Sequence, residues 1–317
     1  MKNILVILFI ATGSIQAFAL SGVKDLFATD TSLLLIMEQL KIPLRPEWRA
    51  DGPTTVPDKN PGRIVQKYTL YPENLGAVNL AISFPQSYLA DQDQRYPVLI
   101  LLGGMQTGHE IIDLIHTPGN NVIVGFEYPI ALPDTPKQAQ SSLRRALTTP
   151  INISMLINWV YEQTWVDRRR INVMGVSFGA FMLPMSLRFS QLTGVYPRTA
   201  VLAYGGADLR HFAETSLNND WSQKDRDSFV DILSIITDVY DPRTHLPQVR
   251  DTHFLVVNGT QDDVIPTASI NELNEIVPNP KDVLEIPGPH IGTDRPEIVQ
   301  ALVTTVYEWL VSQGAIN

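Results

Sequence analysis

Five predominantly apolar runs without alternation, at residues 97–102, 121–126, 171–174, 200–204 and 253–257, constrain this 317-residue chain more than any other feature. A strand with one wet face alternates apolar and polar residues. A run without alternation suits a strand covered on both faces, as in a parallel sheet flanked by helices. Helical patterns fall between the runs, at 110–116, 138–165, 178–192 and 297–313. Pro150 marks an interruption or a second start in the longest. In the last, Ile298, Leu302, Val306 and Leu310 recur at helical spacing. Upstream, residues 63–71 and 77–84 do alternate, and the gap between them holds Pro72, Asn74 and Gly76. That pattern predicts an antiparallel hairpin with one face buried. The expected class is α/β, with a parallel sheet and an antiparallel N-terminal edge.

The N-terminus carries a different signal. Lys2 precedes the apolar run 4–11, and Ala17-Phe18-Ala19 supplies a small-x-small cleavage pattern. Together they predict a secretory signal peptide over residues 1–19. A spanning helix needs about 20 apolar residues, and Gly13, Ser14 and Gln16 interrupt this one, so no stable membrane anchor is expected after cleavage. An exported or periplasmic protein can use disulfides, but this chain has no Cys and must rely on its core. The same absence excludes a Cys nucleophile and thiolate metal sites. The formal charge of −9 disfavours nucleic acid as a partner. Residues 20–62 read as an N-terminal extension, with a helix at 31–40 capped by Asp30, Thr31 or Ser32 and a Pro-, Asp- and Gly-rich loop from 45 to 62. Residues 63–317 form the main domain. Within it, residues 208–248 separate two strands, either as a helical cap over a site or as an ordinary crossover with long loops.

The run at 171–174 leads into Gly175-Val176-Ser177-Phe178-Gly179 and then an apolar helical pattern. This G-x-S-x-G, between a strand and a helix, has the form of a nucleophile elbow: a sharp turn that holds a serine in a strained conformation. The glycines would serve where strand and helix backbones crowd. A serine hydroxyl needs a base to take its proton and a third group to orient that base. In an open α/β sheet such groups belong to loops at the carboxyl ends of strands. His290, in Gly288-Pro289-His290-Ile291-Gly292 after the predicted strand 283–286, is the candidate base. His109, His116, His211, His245 and His253 are less well placed. Asp262, after the strand at 253–257, is the candidate acid, with the adjacent Asp263 left open. Gly103-Gly104-Met105, after the strand at 97–102, offers backbone N–H groups that could share an oxyanion with that of Phe178. The loop is not a phosphate loop, since it lacks G-x-x-x-x-G-K-[ST] and G-x-G-x-x-G.

The order Ser177, Asp262, His290, with Gly103-Gly104-Met105 before them, resembles the α/β-hydrolase superfamily, and more narrowly its dienelactone-hydrolase and esterase-like branch. The resemblance runs from about residue 63 to the C-terminus. It implies an α/β-hydrolase fold: a mostly parallel eight-stranded sheet with helices on both faces. It implies Ser177 as nucleophile, Asp262 as acid, His290 as base, and Gly104, Met105 and Phe178 as the oxyanion hole. Leu102 stands where many members carry His. The expected function is that of an exported serine hydrolase acting on a small-molecule ester or short acyl substrate without a cofactor or metal. The alternatives are a serine peptidase of the same fold and an inactive binding protein on it.

Overall fold

The computed structural model describes residues 29–39, 41–45, 47–91, 93–104, 107–129, 136–208 and 239–317. The expected signal peptide and most of the possible cap, 209–238, lie outside these residues.

The strands are β1 (Trp48–Pro57), β2 (Ile64–Pro72), β3 (Val78–Phe84), β4 (Tyr96–Leu102), β5 (Val122–Phe126), β6 (Val166–Val176), β7 (Thr199–Ala203), β8 (His253–Gly259) and β9 (Lys281–Ile286). Among the described residues they form one sheet of nine strands, in the order β1-β2-β3-β5-β4-β6-β7-β8-β9. Pairing is antiparallel from β1 to β5 and parallel from β5 through β4 to β9. β4 is buried at every residue, as its unbroken apolar sequence requires.

Helices α1 (Asp30–Gln39), α2 (Pro136–Glu162), α3 (Phe178–Leu192), α4 (Thr267–Ile276) and α5 (Pro296–Ser312) accompany the sheet. Two apolar clusters flank it. On one face, Leu156 of α2, Leu183 of α3 and Leu273 of α4 pack against Ile100, Val173 and Val256. On the other, Leu302 and Val306 of α5 and Ile111 of a 3-10 turn (His109–Leu114) pack against Leu101, Met174 and Val257. The periodic apolar residues of α5 are all buried. The sheet is therefore the filling of an α/β sandwich, and the carboxyl ends of β4, β6, β7 and β8 follow one another along one rim.

Three details differ from expectation. The loop expected at 45–62 contains β1, which adds a ninth strand to the eight expected. β1 is an exposed edge strand, so burial leaves no alternation in its sequence; backbone pairing to β2 holds it, with a register shift between Asp51 and Thr54. The long helix runs through Pro150 without restarting. Immediately before the proline, the Thr149 hydroxyl donates to the Arg145 carbonyl at 2.8 Å. The cap of α1 is Thr29, whose hydroxyl accepts the Ser32 N–H at 3.1 Å. α1 is tied to the body by Arg188, whose buried guanidinium lies 2.9 Å from Asp30.

Candidate active site

Ser177 sits where β6 ends and α3 begins. Its φ is +52°, a region that side chains other than glycine rarely occupy, as expected of an elbow. The strain is held from both sides: its N–H donates to Ala203 O on β7 at 2.8 Å, and its carbonyl accepts from Ala180 N–H at 2.9 Å. A Cβ on Gly175 would lie 2.4 Å from Gly179 O, and one on Gly179 would lie 2.2 Å from Leu102 O. Both are closer than any tolerated contact and both are to backbone, so only glycine permits α3 to start this close to β4 and β6.

His290 lies in the loop after β9. Its ring Nδ1 is 2.8 Å from Asp262 Oδ2 and its Nε2 is 3.0 Å from Ser177 Oγ. The imidazole and the Asp262 carboxylate are almost out of solvent, with side chains 7% and 1% exposed. Asp262 Oδ1 accepts the N–H groups of Val264 and Ile265 at 2.9 and 2.8 Å. Such a carboxylate is an acceptor on both oxygens, so Nδ1 carries the proton and Nε2 is left to accept from the serine hydroxyl. Asp263 points the other way. It is half exposed, accepts the His290 backbone N–H at 3.0 Å and pairs with Arg295 at 3.3 Å. Arg295 also donates to the His290 carbonyl at 2.6 Å. Arg295 and then the His290 N–H hold the Asp263 carboxyl down at about 2. The structure thus brings Ser177, His290 and Asp262 into one hydrogen-bonded chain and gives Asp263 the backbone of the base loop.

Gly104 lies beside the serine: a Cβ added to it would be 3.9 Å from Ser177 Cβ. Phe178 is the first residue of α3, where an N–H has no partner within the helix. The N–H of Gly104 and of Phe178 are therefore candidates to receive an oxyanion at a helix N-terminus. Met105 lies outside the described residues. Leu102 is buried against the elbow.

Two residues around the site carried no motif signal. The Tyr128 hydroxyl donates to Gly103 O at 2.8 Å, and Gly179 N–H donates to the same carbonyl at 3.1 Å. The peptide leading to Gly104 is thus fixed by β5's end and by α3. Burial raises the Tyr128 phenol and keeps it a donor. Tyr204 packs edge-on to His290, with ring centroids 5.4 Å apart. Each follows a strand by one or two residues, and that position is the only cue in the sequence. The other described histidines do different work. His109 contacts Glu127, His253 contacts Asp282, His245 is buried against Val239 O, and His116 is exposed. His211 lies outside the described residues. Among the described residues, no group of three or more His, Asp and Glu could hold a metal ion.

A cavity of about 300 Å³ opens at Ser177, His290 and Gly104 and runs along the sheet face under α5.

The prolyl oligopeptidase family model matches residues 153–275, which include the elbow and Asp262. No curated protein sequence matches the chain. Among solved structures, the acetyl xylan esterase from Paenibacillus sp. R4 aligns with a TM-score of 0.65 at 13% identity, over 91% of this chain and 99% of that one. Acetyl xylan esterase 1 from Thermoanaerobacterium sp. JW/SL YS485 aligns with a TM-score of 0.60 at 12% identity, over 92% and 100%. Dipeptidyl peptidase 4 of Porphyromonas gingivalis aligns with a TM-score of 0.53 at 13% identity, over 82% of this chain and 43% of that one. The chain therefore has the α/β-hydrolase fold, and its residues 153–275 are similar to the prolyl oligopeptidase family. Esterases and peptidases both stand among its structural neighbours.

Proposed function

We propose that the protein is an exported carboxylic-ester hydrolase that works through an acyl-enzyme on Ser177. The observation that carries this is the chain Asp262–His290–Ser177, at 2.8 and 3.0 Å, with Gly104 and Phe178 beside the serine. His290 Nε2 takes the hydroxyl proton as Oγ attacks the substrate carbonyl carbon. The carbonyl oxygen becomes an oxyanion and is held by the N–H groups of Gly104 and Phe178. Collapse breaks the C–O bond to the alcohol, which leaves with the proton from His290. Water then enters, gives its proton to His290 and attacks the acyl carbon. Release of the acid returns the proton to Ser177 Oγ. Asp262 stays ionised throughout and stabilises the imidazolium.

An ester substrate is favoured over a peptide because the chain aligns with the full length of two acetyl xylan esterases and with less than half of the dipeptidyl peptidase. The prolyl oligopeptidase match keeps the peptidase reading alive, although it spans the elbow and acid that both classes share. The test is turnover of p-nitrophenyl butyrate against a short-peptide panel, with fluorophosphonate labelling of the purified protein. Ser177→Ala is expected to abolish labelling and lower ester turnover by at least about a thousandfold. Undiminished turnover in that variant would remove the serine from the mechanism, and turnover confined to the peptide panel would favour the peptidase.

A further inference from the structure

We infer that the cavity beneath Ser177 is an acyl-chain slot, and that the preferred substrates are esters of medium-chain fatty acids. The inference rests on the ester-hydrolase proposal and adds the class of acid. The polar side chains of its lining are few, and they are Ser177, His290 and the threonines of the neighbouring loops, Thr107 and Thr293. Further in, the sheet side is Leu101 and Met174, register neighbours on β4 and β6, and the facing side is Leu114, Leu302 and Val303. Protein interiors are close-packed, so a space of this size between the sheet and α5 is a departure from an ordinary core. The chain could have closed it with larger side chains on α5, and Val299 and Val303 leave it open.

The slot continues toward the other end of the strands. A second cavity of about 30 Å³ shares Ile115, Met174 and Val303 with the first and reaches Leu99 and Ile123, which are paired in register. Leu99 is two residues back from Leu101 along β4, or about 7 Å. Met174 stands between the two spaces, and a thioether side chain on three rotatable bonds is suited to yielding there. A methylene is close in size to a water, whose share of liquid volume is roughly 30 Å³, so the main cavity takes an alkyl chain of about six to ten carbons. The acyl side is assigned to the slot because its inner end is apolar and confined. The alcohol must exchange for water and needs the open mouth.

The test is a p-nitrophenyl ester series from acetate to hexadecanoate, paired with an alcohol-length series of alkyl acetates. kcat/KM is expected to rise with acyl length, by up to about fourfold per methylene, to a maximum between hexanoate and decanoate. The alcohol series is expected to stay flat. Val303→Phe should lower the octanoate-to-acetate ratio by about tenfold or more, and Met174→Ala should move the maximum to longer acids. Fluorophosphonate labelling of each variant reports whether the site is still assembled. A maximum at acetate, or a length dependence on the alcohol instead, overturns the slot and leaves the ester hydrolase standing. An unchanged chain-length profile in both labelled variants also overturns it. Absence of labelling and of all ester turnover in the parent protein overturns the ester-hydrolase proposal itself.

Discussion

Asp262 and Asp263 are neighbours in sequence with opposite surroundings. Asp262 is buried, takes two backbone N–H groups on one oxygen and the His290 ring on the other. Asp263 is half exposed and grips Arg295 and the backbone of the base loop. Asp262→Asn is expected to lower kcat by about a thousandfold or more, since an amide cannot hold the imidazole in the same tautomer. Asp263→Asn loses a solvent-screened pair and is expected to cost about tenfold or less. Kinetics on one ester separates the two; the reverse order would make Asp263 the acid. The sequence left Asp263 open beside Asp262, because neighbouring residues of a turn point in different directions and residue type does not encode which of two carboxylates faces inward. Ser177 was legible for the opposite reason. Its glycines are demanded by backbone collisions with Gly179 and Leu102, and steric demands leave their mark in residue type. Tyr128 was not legible, since a tyrosine that fixes a carbonyl looks in sequence like any tyrosine after a strand.

At the scale of elements, buried strands and amphipathic helices declared themselves and pairing did not. β1 was hidden because its residues face water and its stability comes from hydrogen bonds to β2. A short helical turn, Pro242–His245, packs a fully buried histidine beside α3. His245 Nε2 donates to Val239 O at 2.6 Å, which fixes a neutral tautomer. Burial first, and the charge of Arg188, lower its pKa to about 4 from the ordinary 6.5. The unfolded chain therefore binds a proton between these values that the folded chain refuses. Stability on this account is full above about 6.5 and falls as the pH drops toward 4, by about 2 kcal/mol at pH 5 relative to pH 7. Urea unfolding at the two pH values measures it, and His245→Phe is expected to flatten that limb. An equal acid loss in the variant would assign the effect to other groups.

For the molecule as a whole, the class of fold was legible because a sheet covered on both faces needs continuous apolar runs. The cavity beneath Ser177 was not, since its walls are made of the same residue types as the packed core around it. Nor could the runs give the strand order that brings the site together. The serine stands at the end of β6 in the middle of the sheet, while its acid and base come from the loops after β8 and β9. β9 is an edge strand, exposed over much of its length, and edges open more readily than centres. Turnover is therefore expected to fail at lower urea than the far-ultraviolet circular dichroism, and to return on dilution without refolding of the centre. Coincident midpoints would show that the edge and the centre open together. If they separate, the assay becomes a gauge of fraying: each lost fraction of activity counts molecules whose outermost strand has let go while the rest of the sheet still stands.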